Sequence, residues 1–318
     1  GVKIAAPVVE TYSGNGVSME SENNGFGIFV ADALEGSTKI NGSVKAKTSY
    51  AKGEDDSFVV GLGASVLGDA EFTNIHQDGN LGLLVWNPDD ENRNIKVLGG
   101  NDAQGNLVLQ ANKDVNLLGD ANAAHDIEIN STDGSFSGIG RGIQAGNDVR
   151  VSVGEGVYYM GGTLQAGNDI DIQVKKPVSE DSGIYIGALP EGVAGTATGE
   201  TSLTAGNDAR FDVQGSGNIA LEGSITAGKV AEDGTTEGGD VVANIDDEGS
   251  VLITGSVESK NGDVSVQTGD GHIYIGTDKT PDGEMIKAKN NVTVGTDLGT
   301  IYIQGETSTT TGDITMTA

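Results

Sequence analysis

Five side chains in the last quarter of the chain are of types that carry out acid–base chemistry. Asp246, Asp247 and Asp270 are carboxylates, and His272 and Lys287 follow them in the sequence. Two carboxylates that flank a glycosidic bond can cleave it, one as the acid and the other as the base or nucleophile. These residues define one candidate function, a polysaccharide lyase or glycoside hydrolase.

Aromatic residues for such a cleft are scarce. A sugar-cleaving site also needs aromatic platforms, and only Tyr274 and the Tyr158-Tyr159 pair are candidates for that role. In the alternating pattern His272-Ile273-Tyr274, the histidine and the tyrosine are simply outward positions of a strand. We therefore predict that the chain is not an enzyme, and we keep the polysaccharide-processing enzyme as the alternative.

Metal chemistry has little support from residue spacing. The chain has no Cys, and His76, His125 and His272 lie far apart without the spacing of zinc ligands. The phrase Gly-Asn-Asp is similar to calcium-binding nonapeptide arrays, but those need a nine-residue period. Here the repeat unit has a period of 21–23 residues, so Ca²⁺ stays an alternative that the spacing does not support. We assign no catalytic, cofactor-binding or metal-binding residue, and expect the Asn-Asp pairs to cap turns.

Composition excludes several classes of partner. Of the 318 residues, 47 are acidic and 18 basic, which gives a formal charge of −29. Nucleic-acid binders use Lys and Arg to neutralise phosphates, so we predict no nucleic-acid partner. No run of 18 apolar residues occurs, so we also predict no membrane insertion. Glycine-rich stretches lack the following helix that would bind a phosphate.

An internal repeat organises the chain. Ala-Gly-Asn-Asp occurs at Ala145–Asp148, Ala166–Asp169 and Ala205–Asp208, and each copy runs into alternating apolar and polar residues. That alternation is typical of a strand with one buried face. A second phrase, such as Ile184-Tyr185-Ile186, and a third, such as Ser202-Leu203-Thr204, follow each first one. A unit of 21–23 residues thus holds about three short strands, and such strands must stack on neighbouring units to close a core.

These spacings predict an all-β fold, a parallel β-solenoid (β-helix) formed by residues 1–318 as a single domain. Residues 1–110 are predicted to form irregular N-terminal coils and 111–318 the regular repeats. Insertions fall near 188–200, 229–238 and 277–284. The first and last of these follow the second strand and leave one corner, whereas 229–238 follows the third strand. Such loops either carry recognition or simply tolerate extra length.

The repeats resemble those of filamentous haemagglutinin-type adhesins. The likeness rests on Ala-Gly-Asn-Asp-Ile followed by alternating apolar residues, a Gly-flanked strand and Leu-Gln-Ala-Gly, and covers about Asn106 to Ala318. It implies a right-handed parallel β-helix, bacterial secretion through an outer-membrane transporter and an extracellular or cell-surface location. Those proteins carry an N-terminal secretion domain with Asn-Pro turns, of which only Trp86-Asn87-Pro88 is similar here.

Together these features predict a non-enzymatic structural solenoid that acts as an adhesin shaft or a filament (fibre) subunit. The strand-like Val2–Val9 is apolar, and the repeat continues through Ile301–Ile303 and Ile314–Met316 without a polar cap. Because solenoid ends expose unpaired strand edges, we expect head-to-tail self-association. The residues do not name a host receptor or glycan.

Overall fold

The computed structural model describes residues 2–6, 9–11, 17–21, 29–33, 38–48, 57–62, 64–84, 94–100, 103–179, 181–191, 193, 195–197, 199–230, 236–276 and 284–318. Two compact units are distinguished, Gly1–Ser152 and Val153–Ala318. Throughout these described segments the secondary structure is strand, with no helix. Trp86-Asn87-Pro88 lies outside the described residues.

Among the described residues, eighteen short strands begin in the first unit. They are β1 (Val2–Ala6), β2 (Val9–Thr11), β3 (Val17–Ser21), β4 (Phe29–Ala33), β5 (Thr38–Asn41), β6 (Val44–Thr48), β7 (Ser57–Leu62), β8 (Ala64–Leu67), β9 (Ala70–Asn74), β10 (Asn80–Leu84), β11 (Asn94–Val97), β12 (Leu107–Ala111), β13 (Val115–Leu117), β14 (Asp120–Ala123), β15 (Ile127–Ser131), β16 (Phe136–Ser137), β17 (Ile143–Ala145) and β18 (Val149–Val153).

The described residues of the second unit form a further eighteen strands. They are β19 (Gly156–Tyr159), β20 (Thr163–Ala166), β21 (Ile170–Val174), β22 (Gly183–Ile186), β23 (Ser202–Ala205), β24 (Ala209–Val213), β25 (Asn218–Leu221), β26 (Ser224–Ala227), β27 (Lys229–Val230), β28 (Thr236–Glu237), β29 (Val241–Glu248), β30 (Val251–Ile253), β31 (Ser256–Ser259), β32 (Val264–Ile275), β33 (Glu284–Ala288), β34 (Val292–Ile303), β35 (Glu306–Thr309) and β36 (Ile314–Thr317).

Strand pairing within each unit defines coils of three strand segments, the first two of which are continuous in β32 and β34. In the first unit β12 pairs in parallel with β15, three strands further on, and β11 pairs with β14 in the same way. In the second unit β21 pairs with β24, β22 with β25 and β23 with β26. Parallel neighbours in sequence order, each reached after a full coil, are the pattern of a parallel β-solenoid. The predicted fold class is confirmed.

The same order continues through the part of the chain where the sequence repeat is weak. β3 pairs with β6, and β6 with β9, all in parallel. The register partners Ala70 and Leu107 are separated by a much longer stretch of chain than Leu107 and Ile127. The number of residues between stacked strands therefore varies while the strands still pair in register. For that reason a search for a fixed spacing in the sequence does not find the repeat in this part of the chain.

The core is a set of rows in which equivalent side chains stack from coil to coil. One row of the second unit runs through Ile172, Phe211, Ala243, Val266 and Val294, and all five are buried. A large Phe next to a small Ala lets neighbouring coils interdigitate at crystal-like density. Each large apolar side chain buried in this way stabilises the fold by about 1.5–3 kcal/mol.

The described ends of the insertions lie where the repeat predicts them. Residues 188–200, described except for 192, 194 and 198, lie between β22 and β23. The 277–284 insertion follows β32 in the sequence, and its last residue, Glu284, is the first of β33. The 229–238 insertion follows β26 and includes the antiparallel pair β27–β28. Residues 231–235 and 277–283 lie outside the described residues. A further extension at 175–182, between β21 and β22, was not anticipated from the sequence.

Candidate functional site

A ladder of acidic and amide side chains runs along one corner of the second unit. In this aspartate ladder an Oδ1 atom accepts the backbone N–H of the equivalent residue one coil further on. The distances are 3.0 Å from Asp169 to Asp208, 3.0 Å from Asp208 to Asp240, 2.8 Å from Asp240 to Asp263, 2.8 Å from Asp263 to Asn291 and 3.1 Å from Asn291 to Asp313. The recurrent Asp therefore joins coils, because it satisfies an N–H that precedes each first strand.

The first unit has the same ladder. Asp69 Oδ1 accepts the N–H of Asn106 at 2.8 Å, Asn106 Oδ1 that of Asp126 at 3.1 Å, and Asp126 Oδ1 that of Asp148 at 3.1 Å. Partial burial alone would raise the pKa of the Asp126 carboxyl. This effect is outweighed by hydrogen bonds from the Asn147 side chain and the Asp148 backbone and by the charges of His125 and Arg150. The pKa of the Asp126 carboxyl therefore lies below its usual value.

The ladder accounts for residues that could otherwise suggest a metal site. Asn207 Nδ2 donates to Asp169 Oδ1 at 2.7 Å, so the Asn of the repeated phrase also bonds to the previous coil. Within the described segments no group of three or more His, Asp or Glu residues is placed to hold a metal ion. The described hydrogen bonds of the ladder join one coil to the next.

The second unit carries a groove at the corner between the first- and second-strand segments of its coils, which are the separate strands β21 and β22 in one coil and parts of one continuous strand in β32 and β34. Residues 177–179, 216–218, 248–250 and 270–272, together with Leu298, line this corner groove, whose volume is about 610 Å³. Each segment comes from a successive coil, so the groove runs along the direction in which the coils stack. The unanticipated extension at 175–182 forms one end of it.

Stacked glycines from successive coils line part of the corner groove, namely Gly217, Gly249 and Gly271. A Cβ atom on Gly249 would lie 1.7 Å from the Gly217 carbonyl oxygen, and one on Gly271 would lie 1.9 Å from that of Gly249. Beyond the lining residues, a Cβ atom on Gly299 would lie 1.6 Å from the Gly271 carbonyl oxygen. Only glycine fits at these positions, because the backbones of successive coils approach so closely.

The corner groove gathers some of the candidate acid–base residues and not others. Asp270 and His272 both line it. Asp246 instead lines a second concavity of about 390 Å³, and Asp247 lines neither of the two. Lys287 lies on β33, in a different sheet, with its Nζ 3.5 Å from an Oε1 atom of Glu258. The five candidates thus do not form one cluster.

Glu248 is the groove residue that the sequence analysis missed. It is the register partner of Asp270, on the adjacent coil. Counting from Ile245, which lies opposite Thr268, would place Asp247 opposite Asp270, but a bulge between Ile245 and Glu248 shifts the register by one residue. The available signal was the shared acidic-Gly pair, Glu248-Gly249 and Asp270-Gly271.

The tyrosines form a row beside the groove on the outer face of the second strands. The row runs through Tyr158, Tyr185, Ala220, Leu252, Tyr274 and Tyr302. The Tyr274 and Tyr302 rings stack with centroids 5.0 Å apart at 4°, and those of Tyr158 and Tyr185 at 5.9 Å and 29°. Stacked rings cover each other's faces, so they are poor platforms for a sugar. Tyr159 is buried in the core.

His272 is held in place by its neighbours. Its ring makes edge contacts with Tyr274 and Tyr302, at centroid distances of 6.0 and 6.1 Å. The backbone N–H of Thr300 donates to His272 Nδ1 at 3.2 Å. A neutral His272 that accepts at Nδ1 carries its proton on Nε2, which makes Nε2–H a donor.

Asn218 links the tyrosine row to the groove wall. Its Oδ1 accepts the Ser250 N–H at 2.9 Å, and its side chain hydrogen-bonds to Tyr185. Burial raises the pKa of the Tyr185 hydroxyl, which this bond partly offsets. Tyr185 therefore stays protonated well into alkaline solution.

Three comparisons with known proteins found no relative of this chain. Across the described segments, no helix is long and apolar enough to span a bilayer. The chain matches no family model, no curated protein and no solved structure. The parallel β-solenoid and its corner groove are therefore the features from which a function has to be argued.

Proposed function

We propose that this chain is a non-enzymatic structural β-solenoid that acts as an adhesin shaft or a filament subunit. The observation that carries the proposal is the aspartate ladder. The most repeated polar residues of the sequence, such as Asp208 and Asp240, use their side chains to bond one coil to the next. A chain whose repeated polar signature holds coils together is suited to mechanical work along the direction of stacking.

The site of action that we propose is the bacterial cell surface or the extracellular space. Support comes from the likeness of the Ala-Gly-Asn-Asp repeats to those of filamentous haemagglutinin-type adhesins, and from the charge of −29, which keeps stacked coils soluble. Export would use the outer-membrane transporter that the likeness implies. The absence of Cys is compatible with an oxidising location, because no disulfide is needed where the ladders already hold the coils.

Self-association is part of this proposal. On β34 and β36 the apolar side chains Tyr302, Ile303, Ile314 and Met316 are exposed. A second copy that adds its N-terminal strand β1 to this surface would bury them and extend the parallel ladder. Deleting residues 1–9 should abolish long assemblies in analytical ultracentrifugation while the monomer keeps its far-UV circular dichroism. An intact chain that stays monomeric at high concentration would remove the filament from the proposal.

Electron microscopy of native cells tests the proposal as a whole. Gold-labelled antibodies raised against the purified chain should decorate thin projections or fibres at the cell surface, and permeabilised cells should gain little internal label. Label confined to the cell interior would contradict both the location and the role. Cells that lack the corresponding gene give the matched control.

A second candidate function is a polysaccharide-processing enzyme, favoured by one observation. Asp270 and His272 line the same groove, and Glu248 lies next to Asp270. Incubating the chain with neutral and acidic polysaccharides and measuring new reducing ends tests it. Cleavage that Asp270→Asn abolishes would replace the structural role with the enzymatic one.

A further inference from the structure

We propose that the corner groove of the second unit binds an extended glycan of amino-bearing hexose units, laid parallel to the direction in which the coils stack. This inference goes beyond the structural role. It assigns a ligand class to a surface that a shaft or filament does not need, and it concerns the second unit alone.

The carboxylates of Glu248 and Asp270 supply the first part of the argument. Within the described part of the chain, neither side chain makes an ion pair or a hydrogen bond, in contrast to the aspartate ladder, whose carboxylates accept backbone N–H groups. Two like charges on adjacent coils repel one another, and a ligand ammonium between them relieves that repulsion. The pair is therefore available for a ligand and favours a cationic one.

The remaining polar groups match a sugar that offers both donors and acceptors. His272 presents Nε2–H as a donor, and the hydroxyls of Ser216 and Ser250 can donate or accept. Carboxylate oxygens accept sugar hydroxyls as well as ammonium groups. The groove thus combines acceptors, donors and adaptable hydroxyls along one line, which a hydroxyl-rich polymer can satisfy.

Dimensions favour a glycan chain over an extended peptide. Equivalent groups on successive coils recur at about 4.8 Å, the spacing of hydrogen-bonded strands. That repeat is close to the length of one pyranose unit, whereas an extended peptide advances about 3.3 Å per residue and falls out of step. Gly249 and Gly271 line the groove and carry no side chain that could project into it. Val178 and Leu298, each 70% exposed at the groove, offer apolar contact for sugar C–H faces.

Charge excludes the acidic glycans. A uronate or sulfated chain in this groove would place its anions beside Glu248 and Asp270 on a protein of charge −29. Repulsion of this kind costs affinity and slows association. The expected order of affinity is therefore a glucosamine hexamer, then its N-acetylated form, then a galacturonate hexamer.

Isothermal titration calorimetry of the full chain with these three hexamers tests the inference. The glucosamine hexamer should bind at least tenfold more tightly than the N-acetylated hexamer, and the galacturonate hexamer should not bind. The double substitution Glu248→Gln and Asp270→Asn should weaken glucosamine binding at least tenfold. Folding should survive it, because both side chains are exposed.

The control variant also removes two negative charges, but from a neighbouring surface outside the corner groove. Asp246→Asn with Asp297→Asn, which line the second concavity, should leave affinity within about twofold. Equal losses in the two double variants, equal binding of all three glycans, or no binding of any of them would overturn the inference. Mass spectrometry of the recovered hexamer separates the questions: shortened products would overturn the structural role yet keep the binding site. Failure to find surface fibres would leave these affinities unaffected.

Discussion

Removing one carboxylate from the aspartate ladder should destabilise the second unit more than its position near the surface suggests. Asp208 Oδ1 accepts two backbone N–H groups from the next coil, those of Gly239 and Asp240, each at 3.0 Å. Asp208→Ala leaves both donors without a protein acceptor. The Asp208 side chain is only 14% exposed, so water replaces it incompletely.

The expected loss follows from these contacts. A hydrogen bond to a charged group contributes about 1.5–3 kcal/mol, and partial rehydration reduces the sum for the two bonds to about 2–4 kcal/mol. The ion pair with Arg210 adds less than about 1 kcal/mol, because Arg210 is 59% exposed. Asp208→Asn keeps a neutral acceptor and should lose about half as much, since charge-assisted bonds are roughly twice as strong as neutral ones.

Urea unfolding followed by far-UV circular dichroism measures these losses. Asp212→Ala is the matched control, because Asp212 bonds only to the side chains of Gln214 and Asn244 on the outer face. It should cost less than about 0.5 kcal/mol. Hydrogen exchange at the Asp240 amide should speed up in Asp208→Ala and not in Asp212→Ala. If Asp208→Ala, Asp208→Asn and Asp212→Ala all have the same urea midpoint of unfolding, the aspartate ladder does not hold the coils together.

Four further outcomes are expected. Ile172→Asp places an unpaired charge at a fully buried position and should lower the free energy of unfolding in urea by several kcal/mol, whereas Ile172→Val should lower it by about 0.5–1.5 kcal/mol. Equal unfolding midpoints for the two variants would mean that Ile172 lies at the surface. Gly271→Ala should also lower the unfolding midpoint, because its Cβ would meet a backbone oxygen of the previous coil; an unchanged midpoint would contradict that close approach. The pKa of the Asp126 carboxyl is lowered in the folded state, so the stability that its ionised form contributes is complete above the unfolded-state pKa and is lost as the pH falls through the folded-state pKa. Asp126→Asn should therefore lose less stability between pH 7 and pH 3 than the unsubstituted chain. Parallel stability curves for the two proteins would refute the lowered pKa of Asp126. Replacing residues 188–200 by a short Gly-containing turn should leave the unfolding midpoint nearly unchanged, since the strands on either side pair with other coils; loss of folding would show that the loop is structural.

Much of the fold was predictable because the repeat acts locally. Alternation such as Ile170, Ile172 and Val174 specifies which side of a strand is buried, and these three side chains are buried. The recurrence of Asp148, Asp169 and Asp208 places an acceptor at the same point of each coil. Both signals lie within a few residues of chain, so no knowledge of distant contacts is needed to use them.

The N-terminal coils were less predictable for a physical reason. Their described strands pair in parallel, with Val44 beside Ala70 and Ala70 beside Leu107. Corners of unequal length connect them, and a corner on the outside of a solenoid can lengthen without disturbing the stacked rows. A search for a fixed period therefore loses the pattern where the structure keeps it.

The sequence by itself determined the strand class, the coil of three strand segments and the position of the 188–200 insertion after the second strand, but not the extension at 175–182. Only the tertiary structure decided which acidic residues share a groove. A bulge of one residue between Ile245 and Glu248 places Glu248, and not Asp247, beside Asp270. Lys287 lies on β33, which pairs with β31 in a different sheet from the strands of the groove. Register across coils depends on how each corner closes, and a shift of one residue exchanges every neighbour, so no local pattern could have specified that surface.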